Sequence, residues 1–129
     1  MSDLPNDVKY TESHEWVRNN GDGTATIGIT DHAQGELGDV VYLDFAVEAG
    51  ELIEVGGTLG TVESVKTVSD IYAPVDGKLN SCNDAIQDNP ELVNSDPYGE
   101  GWLFQLEASG DLPSTLMDAV AYRSLIGIK

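Results

Sequence analysis

The chain has 129 residues, 40% of them hydrophobic, with six Lys and Arg against 23 Asp and Glu and a formal net charge of −17. That length carries one modest core, and the acidity argues against nucleic acid, whose phosphates are bound by displacing counterions with Lys and Arg, and against anionic membrane surfaces. No stretch approaches the ~18 apolar residues of a membrane span, and the single Cys82 allows neither an internal disulfide nor a zinc cluster.

Residues 1–7 lack the basic start and apolar run of a secretory signal and the Arg-rich pattern of a transit peptide. A cytoplasmic location is therefore expected, with a mature mitochondrial form as the alternative. Asn20-Gly21-Asp22-Gly23 predicts a hairpin between strands at 15–18 and 24–29. Alternation in the second strand turns Ala25, Ile27 and Ile29 inward. Thr30 or Asp31 caps a short helix over 32–37, which Gly35 weakens and Gly38 stops after two turns. Strands follow at 40–45, 51–55, 58–64, 68–72 and 77–82, punctuated by Gly50, Gly56-Gly57 and Pro74-Val75-Asp76-Gly77. Cys82 reads as a small side chain in or near the last of these. Pro90 suits a helix first turn, 97–101 reads as a loop, and 102–106 reads as the final strand. From Pro113 onward, Leu116, Ala119, Val120 and Leu125 fall near helical spacing, which predicts a C-terminal helix packed on the sheet. Many short strands with glycine punctuation predict a sandwich or barrel. Without alternating long helices there is no doubly wound sheet. No linker or low-complexity run divides the chain, so a single domain over 1–129 is expected.

Ordinary catalytic constellations are absent from the sequence. His14 and His32 are the only histidines, and neither adjoins a G-x-S-x-G nucleophile. His14-Glu15 and Asp31-His32 do not make an H-E-x-x-H metal site, so each His is expected to satisfy a local hydrogen bond or lie at the surface. No metal site is expected. No G-x-G-x-x-G or Walker sequence supports nucleotide binding. What remains is Lys66, in the run Glu63-Ser64-Val65-Lys66-Thr67-Val68-Ser69-Asp70. It lies between two strand-like runs without Gly or Pro, which predicts a tight tip with the lysine projecting. Tyr72, Pro74 and Trp102 are expected to serve the core or the turns.

Several strings then matter together: Glu63-Ser64-Val65-Lys66, Asp70-Ile71-Tyr72-Ala73-Pro74-Val75-Asp76-Gly77, Asn83-Asp84-Ala85, Pro90-Glu91-Leu92-Val93-Asn94 and Pro97-Tyr98-Gly99-Glu100-Gly101-Trp102. Lys9-Tyr10-Thr11, His14-Glu15-Trp16-Val17, Gly28-Ile29-Thr30-Asp31-His32-Ala33-Gln34 and Gly38-Asp39-Val40-Val41 precede them. In order, and over nearly the whole chain, they resemble the H-protein family of the glycine cleavage system. The resemblance implies a mostly β, biotinyl/lipoyl-type barrel-sandwich hybrid with a short helix and a C-terminal helix. It implies a lipoyl-binding region over about 24–107 and lipoate attached covalently to Lys66 as N6-lipoyllysine.

The function so implied is that of a non-enzymatic carrier. It takes the aminomethyl group of glycine from the P protein (glycine decarboxylase) to the T protein (aminomethyltransferase), which passes the one-carbon unit to tetrahydrofolate. The L protein (dihydrolipoyl dehydrogenase) reoxidises the carrier with NAD, and lipoylating enzymes are further partners. A monomer is expected. An amide at Lys66 would carry the dithiolane on an arm roughly 14 Å long, long enough to enter several partner sites in turn. A groove with apolar walls and carboxylates is expected to shelter the loaded arm, with Glu12, Glu15, Glu36 and Asp70 as candidates. Glu63 and Ser64 are candidates for reading by the lipoylating enzyme.

Phe45-Ala46-Val47-Glu48 stands where the family usually shows Leu-Pro-Glu, and Gly35 is unusual in the short helix; neither touches the Lys66 motif. Biotin carriers place Met on both sides of their lysine and lipoyl modules of 2-oxoacid dehydrogenases show Asp-Lys-Ala, so Val65 and Thr67 disfavour both. A lipoyl relay donor and a noncovalent interaction domain with an unmodified lysine stay open as alternatives.

Overall fold

The structure, a computed structural model, describes residues 8–20, 22–108 and 116–126. In chain order its elements are β1 (Lys9–Tyr10), β2 (Glu15–Asn19), β3 (Thr24–Ile29), α1 (Asp31–Leu37), β4 (Val40–Phe45), β5 (Leu52–Ile53) and β6 (Thr58–Ser64). Then come β7 (Val68–Tyr72), β8 (Gly77–Cys82), α2 (Ala85–Asp88), α3 (Leu92–Ser95), β9 (Phe104–Ala108) and α4 (Ala119–Ile126).

The strands form two antiparallel sheets, one of six in the order β1-β2-β3-β9-β8-β5 and one of three in the order β4-β6-β7. Their inward faces share one apolar cluster. Val17, Ile27, Leu79 and Phe104 come from the large sheet, and Leu43, Leu59, Val62 and Ile71 from the small one. The result is a sandwich whose sheets do not close on each other. Burial of these facing side chains is the main force holding the layers together.

Local sequence explains the elements that position the lysine. β2 and β3 pair in the register Trp16↔Gly28 and Val17↔Ile27. Gly28 is required there, because a Cβ would lie 2.7 Å from the Trp16 indole. Ala25, Ile27 and Ile29 are buried, as their alternation predicts. α1 is capped by Thr30, whose Oγ1 accepts the Ala33 N–H at 3.1 Å. Gly38 ends it with φ +79°, donating its N–H to the Gln34 carbonyl.

A second cluster, built on Val8, Tyr10, Trp16, Ala119 and Tyr122, docks α4 against the β1–β2 end of the large sheet. The C-terminal helix is therefore present, and Ala119 is buried and Leu116 packs on the core as expected, but Val120 and Leu125 do not join them. Val120 is 69% and Leu125 49% exposed, while Ala119 and Tyr122 are buried. The Tyr122 ring stacks on Tyr10 at 4.6 Å, and this aromatic pairing, not the aliphatic spacing, sets the helix rotation. Pro113, where that helix was expected to begin, and Gly21 in the first hairpin turn lie outside the described residues.

Other expectations shift. The strand at 51–55 shrinks to Leu52–Ile53, because only those residues find register on β8, opposite Lys78 and Gly77. The last strand starts at Phe104, because the Trp102 carbonyl accepts from Asn83 Nδ2 and leaves the ladder. Pro90 sits just ahead of the cap of α3, with its carbonyl accepting the Val93 N–H. The short elements β1 and α2 have no clear signal in sequence. Cys82 does lie in a strand, where burial, with Asp84 and Glu51 adding, pushes its thiol up to about 11. No described helix is long and apolar enough to cross a membrane.

Candidate functional site

β6 and β7 form a hairpin with Thr61↔Asp70, Val62↔Ser69 and Glu63↔Val68 in register. The Ser64 N–H donates to the Thr67 carbonyl at 2.9 Å, leaving Val65 and Lys66 as the two-residue tip. Such tips usually rely on glycine to supply positive φ, and here none of the four turn residues Ser64, Val65, Lys66 and Thr67 has it. Ser64 supplies the rigidity instead. Its Oγ accepts the Lys66 and Thr67 N–H groups at 3.2 and 3.1 Å and donates to the Thr67 carbonyl at 3.1 Å. The Val65 N–H donates to the Asp39 carbonyl at 3.0 Å, pinning the tip to the start of β4.

Lys66 is exposed, and among the described residues it makes no ion pair. Its stem lies across Gly38, where a Cβ would stand 3.3 Å from the Lys66 Cε. Further along the hairpin, between β7 and α1, lies a cavity of about 110 Å³ that Lys66 itself does not line. One wall is Ser13, His14 and Glu15, at the entry to β2. A second is Ala33, Glu36 and Leu37 from α1. The hairpin supplies Val62, Ser69, Asp70 and Ile71, and Ile29 completes the lining. At about 3.3 Å per residue, the strand path from Lys66 to Asp70 is at most about 13 Å.

Glu15 is only 2% exposed. Its carboxylate accepts from the Thr11 hydroxyl at 2.6 Å and from the Tyr72 N–H at 3.2 Å. Burial raises its pKa, and the hydrogen bonds from Thr11 and Tyr72 oppose the rise. His14 has φ +70°, the one positive value at a non-glycine among the described residues. Its Nδ1 lies 2.8 Å from the Tyr122 hydroxyl. Burial lowers its pKa, His32 lowers it further, and Glu36 opposes both. His32 in turn pairs with Glu36 one turn along α1, at 3.5 Å.

Of the four carboxylates expected around a sheltering groove, Glu15, Glu36 and Asp70 meet at this cavity. Glu12 does not. It lines a separate, roomier cleft of about 400 Å³ with Thr11, Val55, Tyr72 and Pro74, to which α1 does not contribute. Glu15 borders both spaces. Glu63 is half-buried, in register between Tyr42 and Val68, and Ser64 builds the tip.

The structure also brings in residues that the sequence did not single out. Ser13, His14 and Ser69 line the cavity, and Gly38 cradles the lysine stem. The His14 bond is not local, since Tyr122 is 108 positions away. The positive φ that turns His14 into place has no sequence signal. Pro74 is buried and Trp102 packs on the second cluster. Tyr72, by contrast, is exposed, because alternation along β7 turns it to the face opposite the buried Ile71. Among the described residues no group of three or more His, Cys, Asp or Glu could hold a metal ion.

The model of a protein family described as "Glycine cleavage H-protein" matches residues 8–127. A glycine cleavage system H protein of Cronobacter sakazakii is 50% identical over 127 residues, covering 98% of each chain. One from Salmonella arizonae is 49% identical over 127 residues with the same coverage. A crystal structure of a glycine cleavage system H protein from Mycobacterium marinum superposes with a TM-score of 0.88 at 37% identity, over 97% of this chain and 100% of that one.

Proposed function

Because this chain belongs to the glycine cleavage H-protein family, we propose that Lys66 bears its lipoyl group and that the cavity further along the hairpin shelters the loaded arm. Proteins of this family are carriers and not enzymes. They hold lipoate on a lysine and shuttle the aminomethyl group of glycine from the P protein to the T protein, with reoxidation by the L protein. Lipoate, attached by lipoylating enzymes, supplies the disulfide chemistry. What the chain supplies is display, reach and shelter.

The observation that carries the assignment is the tip itself: an exposed lysine, its backbone held by Ser64 and its stem laid across Gly38, where any Cβ would crowd it. The donor set in the cavity suits the group. An arm of roughly 14 Å spans the strand path to Asp70. Ile29, Leu37, Val62 and Ile71 exclude water, and Glu15, Glu36 and Asp70 offer negative charge to a protonated amine. Attraction between opposite charges is stronger in such a partly desolvated space than in bulk water. Thr11 and the Tyr72 N–H, which border the other cleft, hold the Glu15 carboxylate in place. Glu63, on the row Tyr42–Glu63–Val68, is proposed as a feature read by the lipoylating enzyme. Glu12 is the weakest of the arm-contact candidates, because it opens on the other cleft.

The lipoyl-bearing region is assigned to about 24–107 within a single domain of 1–129, a reading supported by the pairing of β3 with β9. A cytoplasmic location is proposed on the bacterial origin of the relatives. The test is glycine–CO2 exchange by the P protein with lipoylated carrier. Lys66→Arg should fold normally and support no exchange, whereas exchange at the wild-type rate refutes the assignment of Lys66.

A further inference from the structure

Tyr122, on α4, joins two walls of the cavity that come from distant parts of the chain. Its hydroxyl lies 2.8 Å from His14 Nδ1 and 2.7 Å from Thr30 Oγ1. His14 belongs to the wall at the entry to β2. Thr30 caps α1, which supplies the second wall. Tyr122 itself is fully buried and does not line the cavity. Its ring is fixed independently by stacking on Tyr10.

The protons of this network have one arrangement that satisfies every group. Thr30 is 0% exposed, and its Oγ1 already accepts the Ala33 N–H. The one acceptor that its own hydroxyl proton meets among the described residues is the Tyr122 oxygen. A buried hydroxyl proton without an acceptor is costly, so Thr30 donates to Tyr122. Tyr122 must then donate its single proton to His14 Nδ1. The imidazole is left neutral, with its proton on Nε2. Run in reverse, with Nδ1–H donating to Tyr122 and Tyr122 to Thr30, the network strands the Thr30 proton. A doubly protonated ring strands it in the same way.

We propose that Tyr122 is a positioning residue that holds His14 in the neutral, Nε2-protonated form and so keeps positive charge off the wall of the arm cavity. The inference rests on reading that cavity as the shelter of a cationic aminomethyl cargo. A charged His14 would oppose that cargo in the same space where Glu15, Glu36 and Asp70 attract it. The groups that face His14 are His32 and Glu36 from α1, Glu15 beside it in sequence, Asp70 from β7 and Tyr122 from α4. His32 and burial favour the neutral ring, while Glu36 favours the charged one. The φ of +70° at His14 also fits a residue whose position is over-determined by its surroundings.

The test is 15N NMR of the histidine rings in the unlipoylated full-length chain, across a pH series. In the wild type, His14 Nδ1 should be unprotonated and Nε2 protonated near neutral pH. Tyr122→Phe keeps the ring that stacks on Tyr10 and removes the hydroxyl, which is both the donor to His14 and the acceptor of the Thr30 proton. In that variant the His14 midpoint should rise and the tautomer preference weaken, by about 2- to 10-fold in the equilibrium, the size of one buried hydrogen bond. After lipoylation and loading, the lifetime of the loaded carrier should shorten by a similar factor below the new midpoint and recover above it. A merely structural role for Tyr122 gives no such pH dependence. A wild-type His14 protonated on Nδ1, or a Tyr122→Phe chain in which His14 titrates as in the wild type, overturns the proposal. If Tyr122→Phe does not fold, the wild-type tautomer alone still decides. If wild-type loaded carrier decays as fast when folded as when unfolded in urea, the shelter fails, while the ring NMR separately judges the Tyr122–His14 bond.

Discussion

The two turns that build the site, at 64–67 and 11–15, are stiffened by opposite means. At 64–67 the side-chain bonds are local: Ser64 holds Lys66 and Thr67, and the tip is exposed. At 11–15 the decisive bonds are long-range. Glu15 takes the Tyr72 N–H 57 positions away, and His14 meets Tyr122 at 108 positions. A segment that several enzymes must reach in turn has to be rigid without being covered. A segment that excludes water can be rigid only through the rest of the fold. Display is thus encoded in neighbouring residues, and shelter is encoded in topology.

The most severe way to break the display side of this division is at Gly38, which ends α1 and lies under the lysine stem. Its φ of +79° and ψ of −156° lie where glycine alone is comfortable, and Lys66 Cε crowds its missing Cβ. Gly38→Ala should cost about 1–3 kcal/mol of stability in urea unfolding and should slow lipoylation as well. Ser64→Ala should affect only the exposed turn. It should cost about 1 kcal/mol, speed amide exchange at Lys66 and Thr67, and slow lipoylation, with the cavity side chains unchanged by NMR.

Glu15→Gln should affect only the buried turn, and with a definite sign in pH. Burial raises the folded-state pKa of Glu15 above its ordinary value of 4.5. The folded chain therefore keeps this proton longer than the unfolded chain, and its contribution to stability declines as pH rises from 4.5 through the raised value. The variant should lack that decline in urea unfolding across the series. A wild-type slope retained in Glu15→Gln would count against it. His14 runs the other way. Its folded pKa is lowered from 6.5, so its contribution is present above 6.5 and is lost as pH falls through the lowered value. Smallest in stability is Glu63→Ala, expected within about 0.5 kcal/mol of the wild type but measurably slower in lipoylation. Equal lipoylation rates would remove Glu63 from recognition.

The same division explains how much was legible in the sequence. The lysine tip, the Thr30 cap, the Gly38 stop and most strand positions are local features, and they stand where spacing and turn chemistry put them. The rotation of α4 was not legible, because Val120 and Leu125 look like core residues until Tyr10 claims Tyr122. Nor was the difference between Glu12 and Glu15, three positions apart, which depends on a turn bent by a positive φ at His14. Tyr72 reads as a core or turn residue, yet its side chain is exposed; its backbone N–H holds Glu15 and its hydroxyl reaches Asp70. Pairings across 57 or 108 positions leave no periodic trace in sequence.

The most direct test of the account is mass spectrometry of the purified chain after incubation with a lipoylating enzyme, lipoate and ATP, followed by peptide mapping. A single lipoyl addition confined to the peptide bearing Lys66, and absent in Lys66→Arg, is the predicted result. An unmodified Lys66, or an addition on Lys9, Lys78 or Lys129 instead, would contradict it.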